Sequence, residues 1–147
     1  WSSDVCTSEL NLNLLAKRNS DEYGNLDLEK IETLLRDEFK NFDFELFQSN
    51  HEGAIIEKIQ LASTSHDGVI INPGGYSHTS VAIKDALEIC KIPKIEVHLS
   101  HLANREEYRQ TLITAKSCDG YVSGFKEYSY LAAAYLLNKL INGAESD

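Results

Sequence analysis

The sequence predicts an α/β domain in which a parallel β-sheet is covered by helices on both faces. Short apolar runs alternate with segments whose apolar residues recur at helical spacing, as in repeated strand–helix units. The run at 68–72 has β-forming residues and no polar face, which is typical of a parallel strand buried on both sides. Right-handed crossovers would bring the carboxyl ends of such strands to one edge of the sheet, where ligand sites form.

The first half of the chain contains two predicted helices and two predicted strands. Apolar residues recur every three or four positions across 28–39, and Asp27 precedes them as a candidate N-cap, so a helix is expected. Apolar and polar residues alternate across 42–46, which predicts a strand. A second helical stripe at 55–62 leads into the strand at 68–72.

The second half continues the alternation. A helical stripe covers 81–90 and is followed by Pro93, which stops the helix. The segment 94–99 is predicted to be a strand, and the more polar segment 103–117 a helix. The last strand and the last helix are expected at 120–124 and 128–142.

The first ten residues match this pattern poorly. A doubly wound sheet needs an apolar central strand just before Asn11, whereas residues 1–10, WSSDVCTSEL, are mostly polar. We therefore predict a poorly matching N-terminal segment at 1–10 with a degraded first strand, followed by a single domain at 11–147.

Composition and charge exclude several function classes. The chain has 147 residues, and its 14 Lys and Arg against 23 Asp and Glu give a formal net charge of −9. That acidity argues against a nucleic-acid or anionic-membrane partner, although a few arginines can still form a pocket for a small anion. No apolar run approaches the roughly 18 residues that a membrane-spanning helix needs.

The cysteines predict a reducing compartment. Cys6, Cys90 and Cys118 are odd in number, and no CxxC or zinc-finger spacing occurs. We therefore expect reduced thiols with packing roles in a cytoplasmic protein. Residues 1–4 carry a negative charge and no apolar run follows them, so no signal peptide is expected.

The glycine-containing loop after the strand at 68–72 is the first candidate site. Asn72 ends the strand, two glycines follow, and a helix is expected to begin near Thr79. Glycines let the backbone approach a ligand closely, and helix N-terminal N–H groups bind polar or anionic atoms. The loop matches neither a Rossmann fingerprint nor a P-loop, so a plain capped turn is the simpler interpretation; Asn72 and His78 favour a ligand site.

A carboxylate and an imidazole share one face of the strand at 94–99. Residues two apart on a strand point the same way, so Glu96, His98 and Ser100 lie together. A carboxylate beside an imidazole fixes its tautomer and suits it to general acid or base catalysis. A second interpretation is a metal site formed by Glu96, His98 and His101, and a third is a buried histidine with a purely structural role.

Two further groups of charged residues are weaker candidates. Arg18 and Tyr23 lie in a polar loop bounded by Gly24, where a guanidinium near a phenol would favour the phenolate. Such a pair is more often only a solvated loop. The other group begins with Arg105 and Arg109, which are four residues apart and expected on one helix face. It also includes Asp85, seven residues after His78, which could orient either that histidine or an arginine.

Taken together, these segments resemble the type II dehydroquinases, which dehydrate 3-dehydroquinate in the shikimate and quinate pathways. Six pieces match in family order across about residues 11–142: Asn11–Leu15, Arg18–Gly24, Phe47–Gly53, Ile71–Ser80, Glu96–Ser100 and Arg105–Arg109. The resemblance implies a flavodoxin-like three-layer α/β/α fold with a parallel five-stranded sheet. It also implies a homododecamer, built as a tetramer of trimers, that acts on its small-molecule substrate with no cofactor and no metal.

The resemblance also assigns roles to individual residues. It makes Tyr23 the base that removes a proton beside the ketone, Arg18 the group that keeps this tyrosine ionised, and Asn11 part of the enolate-stabilising site. His98 would protonate the leaving hydroxyl, with Glu96 orienting it. The implied substrate-binding residues are Asn72, His78, Leu99, Ser100 and Arg109, with Asp85 supporting them from a neighbouring subunit or from behind the site.

Departures from the family pattern keep two alternatives open. The family has Gly-Pro where this chain has Glu9-Leu10, and its His-Ser-Tyr after Arg109 is replaced by Gln110-Thr111-Leu112. The weak first strand motivates a non-catalytic relative that binds a polyhydroxy carboxylate. A metal-dependent hydrolase using Glu96, His98 and His101 is the other alternative.

Overall fold

The computed structural model describes residues 3–9 and 28–143. Within these ranges five parallel strands form one sheet in the order β2-β1-β3-β4-β5. The strands are β1 Ser3–Glu9, β2 Phe42–Gln48, β3 Gly68–Asn72, β4 Lys94–His98 and β5 Gly120–Ser123. The order reverses direction between β1 and β3, so this fold has its topological switch point beside those two strands.

Four α-helices in the described part of the chain cover the sheet: α1 Leu28–Glu38, α2 Glu52–Ser65, α3 Val81–Ile89 and α4 Tyr128–Gly143. On one face, α1 and α4 bury Ile31 and Leu137 against Ile70 of the sheet. On the other face, α2 and α3 bury Ile59 and Leu87 in a second cluster. These two apolar layers make the predicted three-layer α/β/α arrangement, and the predicted fold class is confirmed.

The N-terminal strand, which the sequence left in doubt, is formed and lies in the centre of the sheet. Val5 pairs with Phe44 on one side and with Gly68 on the other. Val5 and its neighbour Cys6 are buried in the two opposite apolar layers, as the alternation of a strand requires. Backbone pairing to two neighbours supports a strand that its mostly polar composition did not predict.

The segment 103–117 is not the helix that its composition predicted. It forms three separate 3₁₀ turns, Leu102–Asn104, Glu107–Arg109 and Thr114–Ser117. The Gln110 side chain donates to the Leu102 and Arg105 carbonyls at 2.7 and 3.1 Å, and so takes acceptors that a continuous helix would use for its own backbone. The expectation that Arg105 and Arg109 share one helix face is therefore wrong.

The connection between β3 and α3 is also more elaborate than expected. A 3₁₀ turn, Gly74–His78, follows the strand, and α3 starts only at Val81 rather than near Thr79. Ser80 caps the helix, because its Oγ accepts a hydrogen bond of 2.9 Å from the Ile83 N–H. Among the described residues, no helix combines the length and the apolar character needed to cross a membrane.

Candidate active site

Two predicted site residues lie at the carboxyl ends of neighbouring strands. Asn72 is the last residue of β3 and His98 the last residue of β4, and these strands are paired in the sheet. Both side chains are buried, with only 5% of each residue exposed. The sheet edge beside the topological switch point therefore collects polar groups in a largely dry environment, as expected for a ligand site.

Glu96 and His98 form a buried hydrogen-bonded pair. His98 Nε2 donates to Glu96 Oε2 across 2.7 Å, and the Glu96 carboxylate is completely shielded from solvent. Because the bond occupies Nε2, His98 reaches a ligand through Nδ1, which has no hydrogen-bond partner among the described residues. A carboxylate that fixes an imidazole in this way leaves the second ring nitrogen available for proton transfer.

Two hydroxyl groups complete the surroundings of Glu96. Ser77 Oγ donates to Oε2 at 2.9 Å, and Thr114 Oγ1 donates to Oε1 in a short hydrogen bond. Both residues are fully buried. Sequence reasoning missed them: Ser77 lay inside the glycine-containing loop without an assigned role, and nothing in the local sequence marked Thr114.

His78 lies beside His98. The two rings are 6.4 Å apart between centroids and nearly parallel, at 22°. The Nδ1 of His78 is 2.8 Å from the Thr111 carbonyl oxygen, which can only accept, so Nδ1 carries the proton. The buried Nε2 has no partner among the described residues, and in the neutral ring it is an acceptor for a ligand hydroxyl.

Asn72 is oriented by its own turn. Its Oδ1 accepts a hydrogen bond of 3.1 Å from the Gly74 N–H, which fixes the amide plane. The amide nitrogen Nδ2 has no partner among the described residues and remains available to donate. The glycine-containing loop therefore contributes its strand-end asparagine and its terminal histidine to the same edge of the sheet.

The residues after β4 form a second polar corner. Arg105 Nη1 donates to Ser100 Oγ at 3.0 Å, and the Leu99 carbonyl accepts from the Lys126 N–H at 3.0 Å. Leu99, Ser100, Arg105 and Lys126 line a cavity of about 230 Å³. Arg105 Nε also lies 3.4 Å from Glu106 Oε2, so a carboxylate bound at this small cavity would share or compete for that cation.

Arg109 lies near this edge but is engaged by an acidic neighbour. Its Nε donates to Glu106 Oε2 at 2.8 Å, and its guanidinium lies over the Tyr108 ring. The pKa of Glu106 is lowered to about 2, first because its carboxylate accepts a hydrogen bond from the Glu106 backbone N–H. Hydrogen bonds from Tyr108 and Arg109 lower this pKa as well. Arg109 also lines a cavity of about 460 Å³ together with Gln110.

Asp85 does not play the orienting role expected within the chain. Its carboxylate is largely exposed and lies 3.7 Å from the Lys84 ammonium group. The Nδ1 of His78, one of the two side chains that Asp85 could have oriented, is bonded to the Thr111 carbonyl. Among the described residues, the carboxylate of Asp85 therefore contacts no residue of the candidate site.

The metal alternative fails on the arrangement of the donors. Throughout 3–9 and 28–143, no three His, Cys, Asp or Glu side chains come together in a way that would hold a metal ion. His101 packs against Gly124, whose φ of 101° suits glycine and where a Cβ would come 2.7 Å from His101 Nδ1. Glu96, His98 and His101 are thus not a ligand set. The predictions for Asn11, Arg18 and Tyr23 lie outside the described residues.

The fold is a doubly wound α/β domain, and its site is a buried histidine–carboxylate pair at the carboxyl end of β4. This combination is typical of enzymes that use acid–base catalysis, and comparisons with known proteins identify the family. A family model described as Dehydroquinase class II matches residues 7–138. The chain belongs to this family. The predicted resemblance and the predicted enzyme class, a lyase, are therefore confirmed.

Individual relatives agree with this assignment. A 3-dehydroquinate dehydratase of Clostridium botulinum (strain 657 / Type Ba4) is 47% identical over 134 residues, covering 89% of this chain and 91% of the relative. One from Thermotoga neapolitana is 45% identical over 132 residues, covering 88% and 90%. The crystal structure of the type II dehydroquinase from Butyrivibrio crossotus DSM 2876 superimposes with a TM-score of 0.87 at 41% identity, covering 93% and 97% of the two chains.

Proposed function

We propose that this chain is a 3-dehydroquinate dehydratase that removes water from 3-dehydroquinate through an enolate to give 3-dehydroshikimate. The observation that carries the proposal is the buried Glu96–His98 pair at the carboxyl end of β4, whose second imidazole nitrogen has no partner within 3–9 and 28–143. A β-hydroxyketone loses water through a base, an enolate stabiliser and an acid. The reaction proposed here needs no metal and no organic cofactor.

The first step removes a proton from the carbon next to the ketone. The phenolate of Tyr23 takes this proton, and the electron pair of the C–H bond moves into the enolate. Arg18 keeps the tyrosine ionised, because a nearby guanidinium favours a phenolate. Asn11 helps to hold a water that donates to the enolate oxygen. These three roles come from the family resemblance.

In the second step the enolate collapses, the C–O bond breaks, and the hydroxyl leaves as water. The proton comes from His98 Nδ1, while Nε2 remains bonded to Glu96. Glu96 orients the ring and stabilises the imidazolium, which then becomes neutral imidazole. The proton held by Tyr23 and the one lost from His98 are exchanged through solvent, which restores the starting state.

Substrate binding uses groups at the same edge of the sheet. Asn72, His78 and Arg109 bind substrate hydroxyls, and the His78 ring lies beside the His98 ring, with 6.4 Å between the two centroids. Leu99 and Ser100 hold the carboxylate, supported by the nearby cations. For Arg109, binding requires the guanidinium to share or exchange its bond with Glu106.

The remaining expectations concern the assembly and its surroundings. The exposed carboxylate of Asp85 acts on the site of a neighbouring subunit in a homododecamer, a tetramer of trimers. The protein is cytoplasmic, in agreement with its three cysteines, none of which forms a disulfide among the described residues. The alternative of a non-catalytic relative was based on a degraded first strand. Because β1 is formed, that argument for the alternative is lost.

The decisive experiment follows the conjugated enone by its ultraviolet absorbance when purified protein is mixed with 3-dehydroquinate in the presence of a chelator. We expect full activity without added metal. Tyr23→Phe and His98→Ala should each reduce kcat by about 10²- to 10⁴-fold, the usual contribution of a general base or acid. Absence of enone formation by the wild-type protein, or near-normal rates in either variant, would refute the proposal.

A further inference from the structure

The Glu96 carboxylate has two hydrogen-bond donors to which the proposed reaction assigns no role. Ser77 Oγ bonds to the same oxygen as His98, at 2.9 Å, and Thr114 Oγ1 bonds to the opposite oxygen. The two hydroxyls also lie 3.3 Å from each other. All of these groups are buried, so the carboxylate has a closed set of partners on both of its oxygens.

The two hydroxyls come from separate loops that are tied together. Ser77 lies in the turn between β3 and α3, and Thr114 begins the last 3₁₀ turn before β5. The Ile113 N–H donates to the Ser77 carbonyl at 2.7 Å, which fixes one loop against the other. This backbone hydrogen bond joins the two loops that carry the hydroxyls.

We propose that Ser77 and Thr114 are positioning residues of the dehydratase, acting on His98 through Glu96. This inference rests on the proposed function. With Oε1 bound by Thr114 and one lone pair of Oε2 bound by Ser77, the carboxylate cannot rotate, and its remaining lone pair points at His98 Nε2. This arrangement selects the ring state in which Nε2 is bonded to Glu96 and Nδ1 faces the substrate.

A purely structural role is the competing explanation, because buried carboxylates need donors simply to remain folded. The two explanations differ in what a missing hydroxyl changes. A structural role lowers the stability and leaves the turnover of the folded protein unchanged. A positioning role lowers kcat, leaves KM nearly unchanged, and alters the protonation pattern of the His98 ring.

Thr114 offers a matched pair of variants. Thr114→Val keeps the shape and removes the hydroxyl, whereas Thr114→Ser keeps the hydroxyl and removes a methyl group. We expect Thr114→Val to lower kcat about 10- to 100-fold, the effect of losing one hydrogen bond to a charged group, with KM changed less than about threefold. Thr114→Ser should retain kcat within about threefold.

Ser77→Ala provides a second test in case Thr114→Val does not fold, and the same loss of kcat is expected. Ser129→Ala is the control, since Ser129 is a buried serine whose hydroxyl accepts from the Phe125 N–H outside the carboxylate cluster. Its kcat should stay within about twofold of the wild type. The proposal would be overturned if the folded Thr114→Val and Ser77→Ala proteins kept the wild-type kcat, as Thr114→Ser is expected to do.

Coupling to Glu96 is tested by a double-mutant cycle. In a Glu96→Gln background the further loss from Thr114→Val should be under about threefold, because the hydroxyl acts through the carboxylate. A full, additive loss in that background would contradict the proposal.

A spectroscopic test separates this inference from the proposed function. In protein with ¹⁵N-labelled histidine, the His98 ring should carry hydrogen on Nε2 in the wild type and in Thr114→Ser, and a changed pattern in Thr114→Val. An unchanged ring pattern in Thr114→Val would overturn the inference even if the enzyme is active. Lack of enone formation by the wild type would instead refute the proposed function.

Discussion

Two glutamate–histidine pairs in this molecule have nearly the same nitrogen–oxygen distance and different surroundings. Glu96 and His98 are 2.7 Å apart at the end of β4, and Glu45 and His66 are 2.8 Å apart between β2 and the end of α2. The Glu96 carboxylate is fully buried, whereas half of the Glu45 side chain is exposed. The contact between the two side chains therefore does not by itself distinguish a catalytic pair from a surface pair.

The difference lies in the other partners. Glu96 receives neutral hydroxyls, while Glu45 receives the Lys58 ammonium group. In the described part of the chain no group bonds to Nδ1 of His98, whereas Nδ1 of His66 is 2.7 Å from the Ser65 hydroxyl. A pair becomes useful for proton transfer when its carboxylate is desolvated, its charge is not already neutralised by a cation, and one ring nitrogen is left for a ligand.

The sharpest way to break the comparison is to remove each histidine in turn. His98→Ala should reduce kcat for enone formation by about 10²- to 10⁴-fold, because the mechanism we propose uses His98 as the acid for the leaving hydroxyl. His66→Ala, the matched control at the surface pair, should leave kcat within about twofold. Steady-state kinetics on both variants measures the two effects. A large loss of kcat in His66→Ala would contradict the comparison, because the Glu45–His66 pair is expected to have no part in catalysis.

Removing each carboxylate compares the two pairs by stability. Glu96→Ala leaves a buried histidine and two buried hydroxyls without their acceptor, and should cost about 3–5 kcal/mol in the free energy of unfolding. Glu45→Ala breaks an exposed ion pair and should cost about 1 kcal/mol or less. Urea denaturation of the two variants measures both values, and equal losses would contradict the contrast in burial.

Thiol reactivity reports the environment behind each pair. Burial, followed by the nearby Glu96 charge, raises the pKa of Cys118 well above its usual range. Alkylation of Cys118 by iodoacetamide at pH 8, followed by peptide mass spectrometry, should be at least about tenfold slower than that of a cysteine introduced by Ser65→Cys beside His66. Similar rates at the two positions would mean that the region behind Glu96 is open to solvent.

The same shift predicts a loss of stability in alkali. Because the folded protein holds Cys118 as the neutral thiol, this group stabilises the folded state below its ordinary pKa of 9.0, and the contribution is lost as the pH rises above that value. Cys118→Ala should therefore reduce the fall in the free energy of unfolding between pH 8 and pH 10.

The smallest expected effect concerns acid and the surface pair. The hydrogen bond from Lys58 lowers the pKa of Glu45 below its ordinary value of 4.5. Its contribution to stability is therefore present above about pH 4.5 and is lost as the pH falls through the lowered pKa. Comparing wild type with Glu45→Gln from pH 7 to pH 3 should show a difference of under about 1 kcal/mol that vanishes in 1 M salt.

Much of the fold followed from local patterns. The helical stripes at 28–39 and 81–90 and the apolar run at 68–72 predicted elements that the structure has at nearly the same bounds. The segment 103–117 misled the prediction because the side chain of Gln110 competes for backbone carbonyls. The strand at Ser3–Glu9 was underestimated because its support comes from two neighbouring strands rather than from its own composition.

The sequence by itself determined that Glu96 and His98 lie on the same face, because residues that are two positions apart on a strand point the same way. It also placed Asn72 and His98 at or near the ends of two predicted parallel strands, whereas the pairing of those two strands in the sheet was shown by the structure. Only the tertiary structure decided which hydroxyls hold Glu96, since Ser77 and Thr114 lie 19 and 18 positions away along the chain. Local periodicity fixes the direction of a side chain, whereas contacts between distant segments depend on how the loops pack once the sheet has formed.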